Sequence, residues 1–155
     1  MSWDDAEEVN MADVVHREYV FPNDVRFLAQ IREIVADVIN KSPFPKEELN
    51  LIKLAVDEAV ANVMEHAYPD TISLGEQEIE LTLDADDSSF KAIIRDSGMK
   101  FDSTQLKEVN IKRHVKEGHT GGLGVYMMRR IMDEVNYSFF QSSRNELQMI
   151  KWARK

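Results

Sequence analysis

Apolar positions along this chain recur with two periods, and the change from one to the other marks out the elements. From Leu51 to Tyr68 the sequence reads LIKLAVDEAVANVMEHAY, with Ile52, Val56, Ala59 and Val63 on one helical arc. The spacing predicts a helix from about Lys46 to Tyr68, stopped by Pro69-Asp70. An earlier helix, capped by Asp24, is expected to run to about Asn40, where Ser42-Pro43-Phe44-Pro45 breaks it. Short stretches of strand character occur at Glu18–Phe21, Glu78–Leu83 and Phe90–Asp96, the last two joined by the polar turn Asp86-Asp87-Ser88-Ser89. A third helix is expected over 123–134. A final hairpin pairs Asn136–Gln141 with Glu146–Trp152 across Ser142-Ser143-Arg144-Asn145. Residues 103–120 have no clean period. Helices over one face of a sheet that ends in consecutive strands imply a two-layer α+β sandwich. The expected division is an acidic arm over 1–15 and a single domain over 16–155.

The helix at 51–68 also carries chemistry. Glu58, Asn62 and His66 recur every fourth residue, so the three share one stripe, with Leu51 and Ala55 interleaved. A carboxylate bordering so much apolar surface loses hydration and needs a partner. The stripe is either a site or the solvated edge of a core helix, and spacing alone does not choose. Two glycine motifs follow. Asp96-Ser97-Gly98 ends a strand, where the turn can present the carboxylate to an exocyclic amine. Gly121-Gly122-Leu123-Gly124 opens a helix, where backbone N–H groups can approach a phosphate at the positive end of the helix dipole. Between them, 103–120 holds Lys107, Lys112, Arg113 and Lys116 against Glu108 and Glu117, a locally basic loop suited to cover an anion.

In this order the three segments resemble the N, G1 and G2 boxes of the GHKL ATPase superfamily, over about Arg17 to Trp152. The combination Glu58-Ala59-Val60-Ala61-Asn62, Asp96-Ser97-Gly98 and Gly122-Leu123-Gly124, with Met132-Asp133-Glu134-Val135, is most similar to bacterial anti-sigma factor serine/threonine kinases. The resemblance implies a histidine-kinase-like ATPase fold with a mixed sheet, and ATP and Mg²⁺ as cofactors. Asp96 and Gly98 would receive the adenine, Asn62 would bind the metal, and Gly121, Gly122, Leu123 and Gly124 the phosphates. The segment 103–120 would be an ATP lid, with Arg113, or next Lys116, on the terminal phosphate. Glu58 would be the catalytic base toward a hydroxyl of an anti-anti-sigma (STAS-type) protein. A sigma factor would be the other partner, and the chain would be a homodimer. His66 matches a family position and is read as structural. A non-catalytic ATP-binding switch that holds its partner is the alternative. Lys100 replaces the usual second glycine of the second box, and Asn145-Glu146 stands where many members have a glycine–threonine pair.

Composition narrows the classes. The 155 residues suffice for one core, 43% are hydrophobic and none is cysteine, so neither disulfides nor thiolate chemistry enter. A net charge of −9 disfavours direct binding to a nucleic-acid backbone. The acidic N-terminus is unlike a signal peptide, and no apolar run is long enough to span a membrane, so a cytoplasmic protein is expected. There is no Gly-x-x-x-x-Gly-Lys run, which excludes a P-loop.

Overall fold

The computed structural model describes residues 14–67, 77–98, 123–140 and 144–154. In chain order the elements are β1 (Val15–Pro22), α1 (Leu28–Lys41), α2 (Leu49–Ala67), β2 (Glu78–Ala85), β3 (Ser89–Asp96), α3 (Leu123–Ile131), β4 (Glu134–Phe140) and β5 (Arg144–Trp152). Short 3₁₀ turns lead into the first two helices. The Asp24 carboxylate caps the first of these by accepting from the Arg26 N–H at 2.9 Å. The Ser42 hydroxyl closes α1 by donating to the Ile39 carbonyl at 2.9 Å.

The five strands form one sheet in the order β1-β2-β3-β5-β4, and every neighbouring pair is antiparallel. The mixed sheet implied by the resemblance therefore has no parallel neighbours here. The reason is the path of the chain. The connection through α3 carries β4 to the sheet edge, aligned with β3, and β5 then returns antiparallel into the gap between them. The two-layer α+β arrangement stands. α1 packs on β1 and β2, and α2 packs on β3 and α3.

Strand alternation decides which side chains meet the helices. Ile79, Leu81 and Leu83 of β2, Phe90, Ala92 and Ile94 of β3, and Leu147 and Met149 of β5 are buried. With Ile31, Val35 and Val38 of α1 and Ile52, Val56, Ala59 and Val63 of α2 they form a single core. The opposite face carries Glu18, Glu80, Arg95 and Glu146. Among the described residues no helix is long and apolar enough to cross a membrane.

Among the boundaries that differ from the sequence reading, three bear on the packing. Val15, placed in the acidic arm, starts β1 and is buried, opposite Ala85. α3 ends at Ile131, not 134, because the Asp133 N–H bonds the Ile150 carbonyl at 2.9 Å and draws the chain into the ladder, so β4 begins at Glu134. Arg144 and Asn145, assigned to the hairpin turn, are the first two residues of β5.

Candidate functional site

Asp96 is the last residue of β3, and the register sets it directly opposite Asn145 of β5. Both face the helix layer and are buried, at 5% and 2% exposure. Asp96 Oδ1 accepts two hydrogen bonds. One comes from the Gly98 N–H at 2.9 Å, closing an Asx turn, and the other from Asn145 Nδ2 at 2.9 Å. Asn145 Nδ2 also faces the Gly98 carbonyl at 3.4 Å. On its other side, the Tyr137 hydroxyl of β4 donates to Asn145 Oδ1.

Burial pushes the Asp96 carboxyl above its ordinary value, and the two neutral donors only partly oppose that. Among the described residues no cation pairs with this carboxylate, and Oδ2 accepts no hydrogen bond. A desolvated carboxylate with one oxygen left over has the chemistry to receive an N–H donor from a ligand.

Glu58 and Asn62 are neighbours on one face of α2, both half-buried at the border of the apolar arc. Leu51, on the same stripe, is 47% exposed, whereas Ala55 is buried. The neighbouring acid differs from Glu58: Asp57 accepts from Arg32 of α1 at 2.8 Å and ties the two helices together. No ion pair among the described residues engages Glu58. Leu123 and Gly124 are the first two residues of α3, which lies against α2. Gly121, Gly122, Arg113, Lys116 and the 103–120 segment lie outside the described residues, as does the side chain of His66.

Sequence reasoning missed Asn145 and Tyr137 as parts of the site, treating Asn145 as a departure from the family pattern. The available signal was alternation: Asn145, Leu147, Met149 and Lys151 share the buried side of β5. Glu146 consequently faces away, on the bare side, where it accepts from Arg95 Nε at 2.7 Å. A recess of about 390 Å³ opens at this end of the sheet, lined by Glu78, Glu80, Arg95 and Arg144, and reaching Asp96 and Ser97 at the end of β3. Its part on the bare face has both arginines engaged, as Arg95–Glu146 and Arg144–Glu80 pairs. The Asp96 carboxyl, on the helix side, is the stronger candidate site.

Comparison with known proteins adds to this picture. Residues 21–151 match the histidine kinase-like ATPase domain family. The chain is 28% identical over 142 residues to the serine-protein kinase RsbW of Staphylococcus epidermidis, covering 89% of this chain and 87% of that protein. It is 27% identical over 122 residues to the RsbW of Bacillus thuringiensis strain Al Hakam, covering 76% and 74%. Among solved structures, the SiaB–SiaC complex from Pseudomonas aeruginosa superposes with a TM-score of 0.67 at 11% identity, covering 95% of each chain. The RsbU and RsbW domains of a Mycobacterium tuberculosis protein superpose with a TM-score of 0.58 at 14% identity, covering 91% of this chain and 33% of that one.

Proposed function

This chain belongs to the histidine kinase-like ATPase family, and from that premise we propose that it is an ATP-dependent serine/threonine protein kinase acting on an anti-anti-sigma partner. The observation that carries the nucleotide part is the buried Asp96 carboxylate, hydrogen-bonded, among the described residues, through one oxygen. The similarity to proteins named serine-protein kinases supports the kinase part. In this reading Asp96 accepts from the adenine amino group, and Gly98 allows the base to approach closely. Gly121, Gly122, Leu123 and Gly124 donate backbone N–H groups to the phosphates at the start of α3. Arg113 reaches the terminal phosphate from the 103–120 segment.

Asn62 fits a magnesium site by donor type. It is a half-buried neutral amide beside a carboxylate, and a hard cation already ligated by phosphates and water takes such an oxygen. When bound, Mg²⁺ neutralises phosphate charge. Glu58, one turn before Asn62, takes the proton of the incoming serine or threonine hydroxyl as the oxygen–phosphorus bond forms and ADP leaves. Among the described residues its carboxylate is not spent on an ion pair, unlike that of Asp57. The remaining parts of the reading are a sigma factor as the sequestered partner, a STAS-type phosphoacceptor and assembly as a homodimer.

The test is incubation with Mg-ATP and candidate STAS-type proteins, read as phosphoserine or phosphothreonine by mass spectrometry. Glu58→Gln is expected to lose about 10²–10⁴ in rate while keeping nucleotide affinity. Transfer at the parental rate by the Gln variant removes Glu58 as the base. Nucleotide binding with no transfer to any partner makes the protein an ATP-binding switch that holds its partner unmodified.

A further inference from the structure

The hydrogen bonds at the end of β3 reach beyond Asp96. We infer that Asn145, held in orientation by Tyr137, is a positioning residue that selects the base, fixing the Asp96 carboxylate so that it takes a 6-amino purine and rejects a 6-oxo purine. The inference rests on the nucleotide reading above and adds to it the residues that set base specificity.

The orientation of the Asn145 amide follows from its neighbours. Two acceptors, Asp96 Oδ1 at 2.9 Å and the Gly98 carbonyl at 3.4 Å, lie on one side of it. A hydroxyl, which can donate, lies on the other. Turned the other way, the amide oxygen would meet two acceptors and its NH₂ would lose both partners. The two acceptors choose the orientation, and the Tyr137 hydroxyl, which can donate or accept, then donates to the amide oxygen and holds the group in place.

The fixed amide acts on Asp96 in two ways. It engages Oδ1, together with the Gly98 N–H, so the carboxyl plane is set and Oδ2 is the oxygen left to a ligand. It also supplies a donor to a carboxylate that burial drives toward the neutral acid. A charged Asp96 is an acceptor only. It pairs with the N–H of a 6-amino group and opposes a 6-oxo group, which is also an acceptor. A neutral Asp96 carries an O–H that can donate to a 6-oxo group. Asn145 therefore keeps the pocket selective by favouring the charged form in one orientation. Tyr137 contributes from the edge strand, by way of Asn145.

The experiment is calorimetric titration of the parental protein, Asn145→Ala, Asn145→Ser and Tyr137→Phe with ADP and with IDP, whose base differs by the 6-oxo group. The parental protein is expected to prefer ADP by about tenfold or more, the value of one charge-assisted hydrogen bond. Asn145→Ala is expected to bring the two affinities within about threefold of each other. Asn145→Ser, which restores a donor, should recover part of the preference, and Tyr137→Phe should lower it. A change in the ratio of the two affinities is not what a general loss of structure produces. Tyr137→Phe, which removes one oxygen at a half-buried position, keeps the test available if Asn145→Ala does not fold. An ADP:IDP ratio that is already near one in the parental protein, or that stays parental in every variant, overturns the inference and leaves the nucleotide reading intact. Parental protein that binds neither nucleotide overturns both.

Discussion

The helix-facing side of β5 has a buried polar residue at each end, and the two ends are built on different principles. At the C-terminal end, Lys151 is 3% exposed and its Nζ donates to the Ile131 carbonyl at 2.9 Å. The carboxylates of Glu48 and Asp133 stand at 3.9 and 3.8 Å from it. Asp133 also accepts the Trp152 N–H at 2.7 Å. The lysine thus ties the 3₁₀ turn before α2, the last carbonyl of α3 and the start of β4 into one cluster. A cation at a helix C-terminus is favourable in itself. At the N-terminal end, Asn145 meets a buried carboxylate that has neutral donors on one oxygen and, among the described residues, no cation. A buried charge matched by opposite charges is a strut. A buried charge left with an unused oxygen remains costly until a ligand supplies what is missing. Burial alone would rank the two ends equally, and the partner sets separate them.

The largest expected effect that probes this contrast is at the strut. Lys151→Met should cost about 1.5–3 kcal/mol, the value of hydrogen bonds to a charged group, and should lower the calorimetric Tm by several degrees. Nucleotide affinity should hold. A Tm equal to the parental value would erase the distinction, because the cluster would then carry no stability.

Next is the opposite substitution at the other end. Asp96→Asn should weaken ADP binding about ten- to a hundredfold, since a charged acceptor is replaced by a neutral one. The same change should raise Tm at neutral pH. The sign follows from the direction of the shift. A carboxyl whose folded value lies above the ordinary 3.8 holds its proton more firmly folded than unfolded. Stability then falls as pH rises from the ordinary value through the folded one, and the penalty is fully present above both. The Tm advantage of Asp96→Asn should therefore be present at pH 7 and vanish below the ordinary value. A variant that is less stable than the parent at pH 7 would make Asp96 a strut as well.

The smallest effect is a control on the bare face. His16 of β1 is exposed and pairs with Asp84 and Glu18, chiefly through its hydrogen bond to Asp84, and its pKa is raised above 6.5. A raised histidine contributes stability below 6.5 and loses it as pH rises through the folded value. Solvent screening limits the contribution to at most about 0.5 kcal/mol. His16→Gln should lower Tm by no more than a degree or two at pH 5.5 and leave it unchanged at pH 8. A larger shift would show that exposed pairs on this face also act as struts.

Much of this contrast was legible in the sequence, but unevenly. The apolar arc Ile52, Val56, Ala59 and Val63 came directly from helical period, and all four are buried. Asp96 and Gly98 were readable because a strand-end Asp-x-Gly turn is a local device, and the Asx turn is local too. Glu58 and Asn62 were placed on one helix face by spacing alone. The misreadings lie where local signals compete with pairing. Asn145 has turn propensity, yet it forms a strand because β3 stands beside it as a template. α3 stops early because the ladder takes up Asp133.

Local period and punctuation in the sequence determined which segments are helix and which are strand, which face of each is apolar, and that an acid stands at the end of β3. Only the tertiary structure decided that β5 enters between β3 and β4, and in which register. That register sets Asn145 against Asp96 across 49 residues of chain and Tyr137 behind it. It also brings Lys151 to the end of α3. The physical reason is that side-chain period is a property of a few consecutive residues, whereas register is chosen by the burial of a whole face against the helices. A slip of one position along β5 would turn Asn145, Leu147, Met149 and Lys151 to the bare side together.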